Sequence, residues 1–270
     1  MVDDRVGIVM GDDCVGQAVM TKRAIGICPL CLRERELRQS HMMPAALYGG
    51  RRNKVEVTTF FGTITTTIQM KQPLLCDDCE QRFDRGGESH VLQAIAPKSR
   101  KSFPLHDRMR VAYPRDSDPS LSRFFGPDFN LDMDQFAYFA ISVVWRVTAT
   151  RWVMQDGNLT QEVKLGDFQE RIRKYLFGEI PLPGDIAVIV IVCSDAESRK
   201  RFFHPDGFVE SGCINFRFLA RGVFFRVMMG YQMSPYLRAH SCTTPLKCIL
   251  YGDCKKRTME VMAPRPAPGG

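Results

Sequence analysis

Two cysteine pairs, Cys28-Pro29-Leu30-Cys31 and Cys76-Asp77-Asp78-Cys79, constrain this chain more than any other feature. Two residues between the thiols let both sulfurs of a pair turn onto one ion. Two such pairs complete a tetrahedral four-cysteine zinc site. An ion held this way pins together the ends of the intervening segment, which carries Ser40-His41-Met42-Met43-Pro44. It thereby fixes one histidine in space. Sites made of four cysteines are closed, so the expected zinc folds the module rather than performing chemistry. Buried thiols without a metal are the plainer alternative.

The remaining six cysteines, at 14, 193, 213, 242, 248 and 254, are read as buried or free thiols. A disulfide framework suits short secreted chains, whereas this one has 270 residues with 44% hydrophobic content, enough for a sizeable core. Asp12 and Asp13 interrupt the only candidate signal segment. With cysteines in metal spacing, a reducing cytoplasm is the expected compartment. No apolar run approaches the roughly 18–20 residues of a membrane span, and the longest, Ile186 to Cys193, has the length of a buried strand.

Net charge is +7, and its location matters. Residues 20 to 110 hold 16 Lys/Arg against 9 Asp/Glu, so that window carries the whole surplus. A basic module of this kind suits a polyanion, nucleic acid and DNA first, because long-range attraction to phosphates raises the on-rate. Arg51, Arg52 and Lys54, after Gly49-Gly50, are candidates to grip phosphates, as are Arg33, Arg35 and Arg38. Such charges also serve solubility alone.

The pattern divides the chain into a leader (1–22), a zinc-knuckled module (23–97), an irregular Pro-rich connector (98–130), an α+β domain (131–262) and a disordered tail (263–270). Within the module, β-branched and aromatic residues flanking Gly62 predict two strands, over Val55 to Phe61 and Thr63 to Met70. A short helix after Cys79 is expected to be stopped or kinked by Gly86-Gly87 and to resume over Glu88 to Ala96. Downstream, Met133 to Trp152 reads as a long helix capped by Asp132 or Asp134, with Trp145 and Trp152 as core. A second helix is expected over Thr160 to Phe177. Strands at 186–193, 212–220 and 223–229 then suggest a small, largely antiparallel sheet packed on those helices, an α+β layer. That domain is a candidate for oligomerisation. Residues 231–262 are ambiguous, and the gaps between His240, Cys242, Cys248 and Cys254 are long for a second knuckle.

Cys-x2-Cys, then Ser40-His41-Met-Met-Pro44, then Leu74-Leu75-Cys76-x2-Cys79-Glu80 resembles the zinc-knuckled branch of the HNH, or ββα-metal, endonucleases. That branch reads Cys-x2-Cys, Asp-His-x-x-Pro, then a hydrophobic pair before Cys-x2-Cys-Asn. The likeness covers roughly residues 26 to 92. It implies a ββα-metal-like fold for the module and metal-dependent hydrolysis of phosphodiesters, with His41 as the base that deprotonates the attacking water. One Mg²⁺ or Mn²⁺ would hold the scissile phosphate.

Three positions depart from the family. Ser40 stands in place of the metal-binding Asp, Glu80 in place of Asn, and Gln72-Pro73-Leu74 lacks the middle Asn. Replacement ligands would come from the segment after Cys79, where Asp84, Glu88 and His90 are candidates, Glu88 and His90 foremost. The structural alternatives are a His41 that hydrogen-bonds a thiolate or carbonyl, and a Glu88 and His90 that are solvated residues of an amphipathic helix. A non-catalytic zinc module that binds nucleic acid or protein therefore stands beside the enzyme.

Overall fold

In the computed structural model, residues 24–48, 55–59, 62–66, 70–95, 103–117, 121–152, 164–196, 198 and 201–254 are described. The first part of the chain supplies β1 (Ala24–Ile27), β2 (Glu34–His41), β3 (Val55–Thr59), β4 (Gly62–Thr66), β5 (Lys71–Cys76) and α1 (Asp77–Phe83). A π-helical turn over Asp84–Glu88 leads into α2 (Ser89–Ile95), followed by α3 (Pro104–Val111), β6 (Asp116–Ser117) and β7 (Leu121–Phe125). The long helix α4 (Met133–Ala149) and α5 (Phe168–Phe177) precede β8 (Ile186–Cys193), β9 (Phe202–Glu210), β10 (Cys213–Ala220), β11 (Val223–Met229), α6 (Pro235–Ala239) and β12 (Cys248–Gly252). The leader and the tail lie outside the described residues. No helix among the described residues is long and apolar enough to cross a membrane.

The fold is α+β, with two sheets. A three-stranded antiparallel sheet, in the order β1-β2-β5, carries the cysteine pairs. A nine-stranded sheet runs β4-β3-β9-β10-β11-β8-β12-β7-β6. The apolar run of β8 is explained by its central place there. Val188, Val190 and Val192 face one core under α4, while Ala187, Ile189, Ile191 and Cys193 face a second that includes Met233 of the segment before α6. A strand buried on both faces has no solvent side on which to put polar residues.

Helix α4 forms because an apolar face runs its whole length and Asp132 caps it, accepting hydrogen bonds from the backbone N–H of Asp134 at 3.0 Å and Gln135 at 3.2 Å. Phe136 stacks on Phe225 of β11, Phe139 meets the same ring at a tilt, and Trp145 and Trp152 are buried as expected of core residues. On its other side α4 meets the π-helical turn. A Cβ on Gly87 would lie 2.4 Å from the carbonyl oxygen of Gln135, and one on Gly86 would lie 2.4 Å from the Tyr138 ring. The glycine pair that bends the helix is thus also what lets α4 approach it. Gly87→Ala should destabilise the protein by about 1–3 kcal/mol, because the contact is backbone and cannot rotate away. A urea midpoint that falls at constant m is the expected reading, and an unshifted midpoint would mean that the two helices do not meet at this position.

Four expectations change. The hairpin β3–β4 does not pair within the cysteine-bearing sheet: Val57 and Thr58 pair in parallel with Phe202 and Phe203 of β9. The sheet downstream is large and carries a second parallel pairing, β12 with β8. The stretch expected to be an irregular connector contains α3, which Pro104 opens in its first turn, and β7, which pairs with β12. Helix α5 starts at Phe168, after coil and turn over 164–167, the expected start at Thr160 lying outside the described residues, and Gly178 ends it at φ +85°. The ambiguous stretch after 231 resolves into α6 and β12.

The cysteine-bearing part is packed onto the rest. Leu30, Phe83 and Val91 belong to the same buried cluster as Phe139, Phe218 and Phe225. Arg173 of α5, itself buried, donates from Nη1 to the carbonyl oxygen of Leu30 at 2.8 Å, inside the first cysteine turn.

Candidate metal centre and the histidine motif

Cys28 and Cys31 lie in the turn between β1 and β2. The turn closes through Cys28 N–H to Arg33 O at 2.9 Å and Leu32 N–H to Cys28 O at 2.8 Å, with Leu32 in the left-handed region at φ +59°. Cys76 ends β5 and caps α1, and Cys79 sits in that helix's first turn. The antiparallel pairing of β2 with β5 sets Leu37 opposite Cys76 and so brings the two turns together.

All four sulfurs lie within 4.8 Å of one another, and Cys31 Sγ is 3.8 Å from Cys76 Sγ. A tetrahedral ion with bonds of about 2.3 Å requires sulfur–sulfur edges of about 3.8 Å, so the thiols fit a metal centre. The separation is far from the roughly 2 Å of a disulfide, and none of the nine described cysteines forms one. The Cys76 N–H points at Cys28 Sγ at 3.5 Å, a donor that favours a thiolate. Hydrogen bonding by the Cys79 thiol, with backbone donors behind it, holds Cys28 down at about 4, while burial pushes Cys76 up.

Ser40 and Glu80, at positions where the resemblance expects metal ligands, and the candidate ligand Glu88 engage other side chains. Ser40 is buried, accepts from the Leu75 N–H at 3.0 Å and donates to Glu80 Oε1. Glu80 Oε2 is 3.7 Å from Nη2 of Arg146, and the same guanidinium forms an ion pair with Glu88. Arg146 comes from α4, is only 2% exposed and lies over the Phe83 ring at 4.7 Å. Burial pushes the Glu88 carboxyl above its usual range, with Arg146 opposing the shift. The Nε and Nη1 of Arg146 are buried without a hydrogen-bond partner among the described residues.

His90 is engaged differently. Its Nε2 accepts the Asp132 backbone N–H at 2.9 Å, so its proton is assigned to Nδ1, and the ring lies edge-on to Phe136. His41 is the last residue of β2, half-buried, and pairs with exposed Lys71 of β5. Neighbouring side chains in a strand point to opposite faces, so His41 faces away from buried Ser40 and its glutamate. Among the described residues the four cysteines are the one group of three or more His, Cys, Asp or Glu able to share an ion; His41, Glu88 and His90 form no second group.

Arg51, Arg52 and Lys54 lie outside the described residues. Arg33, Arg35 and Arg38 are exposed. Strand alternation sorts the β1–β2 hairpin by charge, with Arg35 beside Gly26 on one face and Glu34 and Glu36 beside Ile27 and Ile25 on the other. Sequence reasoning missed Arg146. Its signal was a lone charge inside the apolar helical run Val143-Val144-Trp145-Arg146-Val147. Comparison with models of known protein families, with curated proteins and with solved structures finds no match for this chain.

Proposed function

We propose that this chain is a nucleic-acid-binding protein built on a zinc-stabilised frame of the HNH type, in which the guanidinium of Arg146 takes the place of a catalytic metal. Zinc is the ion that best suits four thiolates at tetrahedral spacing. The observation that carries the non-catalytic reading is the pairing of Arg146 with both Glu88 and Glu80, the latter also held by Ser40. A cation is already present among the side chains that would have to hold Mg²⁺ or Mn²⁺. The polyanion partner is inferred from the basic surplus of residues 20–110, and from Arg35, Arg38 and Lys71 exposed on the small sheet. DNA duplex is the form assigned, because exposed cations spread over a small sheet meet phosphates, which a duplex presents in a dense array.

The endonuclease with His41 as general base is the second reading. It draws on His41 standing at the end of β2 beside Lys71. One pair of assays separates the two. Wild type should shift duplex DNA in a salt-dependent way and leave plasmid uncut in Mg²⁺ or Mn²⁺, and Arg35→Ala with Arg38→Ala should lower the salt slope by about 0.9 per lost phosphate contact. Nicking by wild type that disappears in His41→Ala would establish the enzyme and sink the binding-only reading. Absence of any duplex binding would remove the nucleic-acid partner.

A further inference from the structure

Far along the chain from the cysteine centre, an open groove of about 340 Å³ lies between the end of α3, the segment after it, and the end of β7 with the turn that follows. Its volume falls in the range of small-ligand sites, roughly 300–1,000 Å³. Its chemistry is unusual for a surface. The Arg115 guanidinium lies over the Phe125 ring at 4.7 Å, and that of Arg108 over Phe129 at 5.4 Å. Tyr113 stands at the groove almost wholly exposed, at 97%, with Val111 at 72%. One carboxylate lines the groove, Asp128, and it reaches Arg115 only at 3.7 Å with both side chains more than half exposed. An exposed pair of that kind contributes little and is easily exchanged for another anion.

We propose that this groove binds single-stranded nucleic acid, one base stacking on Tyr113 and the flanking phosphates meeting Arg108 and Arg115. A guanidinium stacked on a phenyl ring has one flat face covered and its in-plane N–H donors still directed outward. It therefore offers phosphate oxygens several donors without having to be desolvated first. The exposed tyrosine supplies the neutral π-face that any base can use. Paired bases in a duplex are hidden in the stack, so the occupant is single-stranded. Arg110, also exposed on α3, adds to the positive field at the groove's approach. The inference stands on this groove alone and does not rest on the zinc-frame reading.

Fluorescence anisotropy with a labelled oligothymidylate, run beside a labelled duplex, tests it on the full chain. Tyr113→Ala should weaken oligothymidylate binding about tenfold, and Tyr113→Phe should restore it, since the ring and not the hydroxyl stacks. Arg108→Ala with Arg115→Ala should flatten the salt slope by about 1.4, the value for two contacts on a single strand. All these positions are exposed, so the variants should fold, and an unchanged circular dichroism melt checks this. Oligothymidylate binding that is the same in wild type and Tyr113→Ala would overturn the inference. So would displacement of the oligonucleotide by poly-glutamate at equal charge concentration, which would identify an acidic peptide as the better ligand. Wild type that binds duplex but not oligothymidylate would also overturn it, while leaving the frame's own function standing.

Discussion

Removing the ion from the four-cysteine centre should unfold at least the small sheet and α1. Cys28 and Cys31 hold the β1–β2 turn, Cys76 and Cys79 hold the junction of β5 with α1, and apart from the ion these are joined by the short β2–β5 pairing and by packing. Structural zinc contributes on the order of 10–16 kcal/mol of apparent binding energy near neutral pH, comparable to or larger than the whole stability of a typical domain at roughly 5–15 kcal/mol. Without the ion, at least some of the four clustered thiols must take up protons and remain buried with weak partners. The expected result is one zinc per chain by native mass spectrometry, and loss of that zinc together with cooperative melting in Cys76→Ser or in excess chelator. Leu30 also carries the carbonyl that Arg173 binds, so the damage should reach α5. The sign with pH follows from the ligands: thiolates must be deprotonated to bind, so acid releases the ion and with it the fold. A chelated protein that melts as the untreated one does would show that packing alone holds the four thiols together.

What was legible in the sequence is what local spacing decides. Two residues between cysteines determine whether both sulfurs can reach one ion, so the centre could be read before any fold was known. The buried run Ile186 to Cys193 was legible as a strand because burial on both faces forbids polar alternation, and the cap of α4 was legible as Asp132 or Asp134 because it is made within its own turn, the structure choosing Asp132. The rest depends on distant partners. Nothing in Val55–Thr59 says that it will pair in parallel with β9, about 145 residues later, since one β-branched strand fits many edges. Pro104 reads equally well as a connector residue or as the first turn of a helix, and it is the burial of Leu105 and Met109 that decides. The candidate ligands Glu88 and His90 were chosen by residue type and spacing along a helix. Their partners, Arg146 and the Asp132 N–H, come from α4 and its cap, and no local pattern contains that information.

Arg146 is the position where substitution should be most revealing. Its guanidinium is 2% exposed and its counter-charges, Glu80 and Glu88, reach it from the other side of the junction between the cysteine-bearing part and α4. Removing one member of a buried ionic group leaves the others desolvated and unpaired, a cost of about 3–5 kcal/mol. Arg146→Met should therefore lower the melting temperature by on the order of 10 °C. Arg146→Lys should recover only part of the loss, because a compact ammonium cannot lie flat on Phe83 and reach two carboxylates at once. Combining Arg146→Met with Glu88→Gln and Glu80→Gln should recover most of it, since the orphaned charges go with their partner. The decisive arm uses the smaller variant. In Arg146→Ala, the Glu80 and Glu88 carboxylates border the space the guanidinium filled, a hard-oxygen pair suited to Mn²⁺. Millimolar Mn²⁺ should raise the melting temperature of Arg146→Ala and leave wild type unmoved, because an ion stabilises a fold only through a site it can occupy there. If Mn²⁺ stabilises wild type to the same degree, Arg146 does not hold the metal's place. The frame would then have room for both an ion and its arginine.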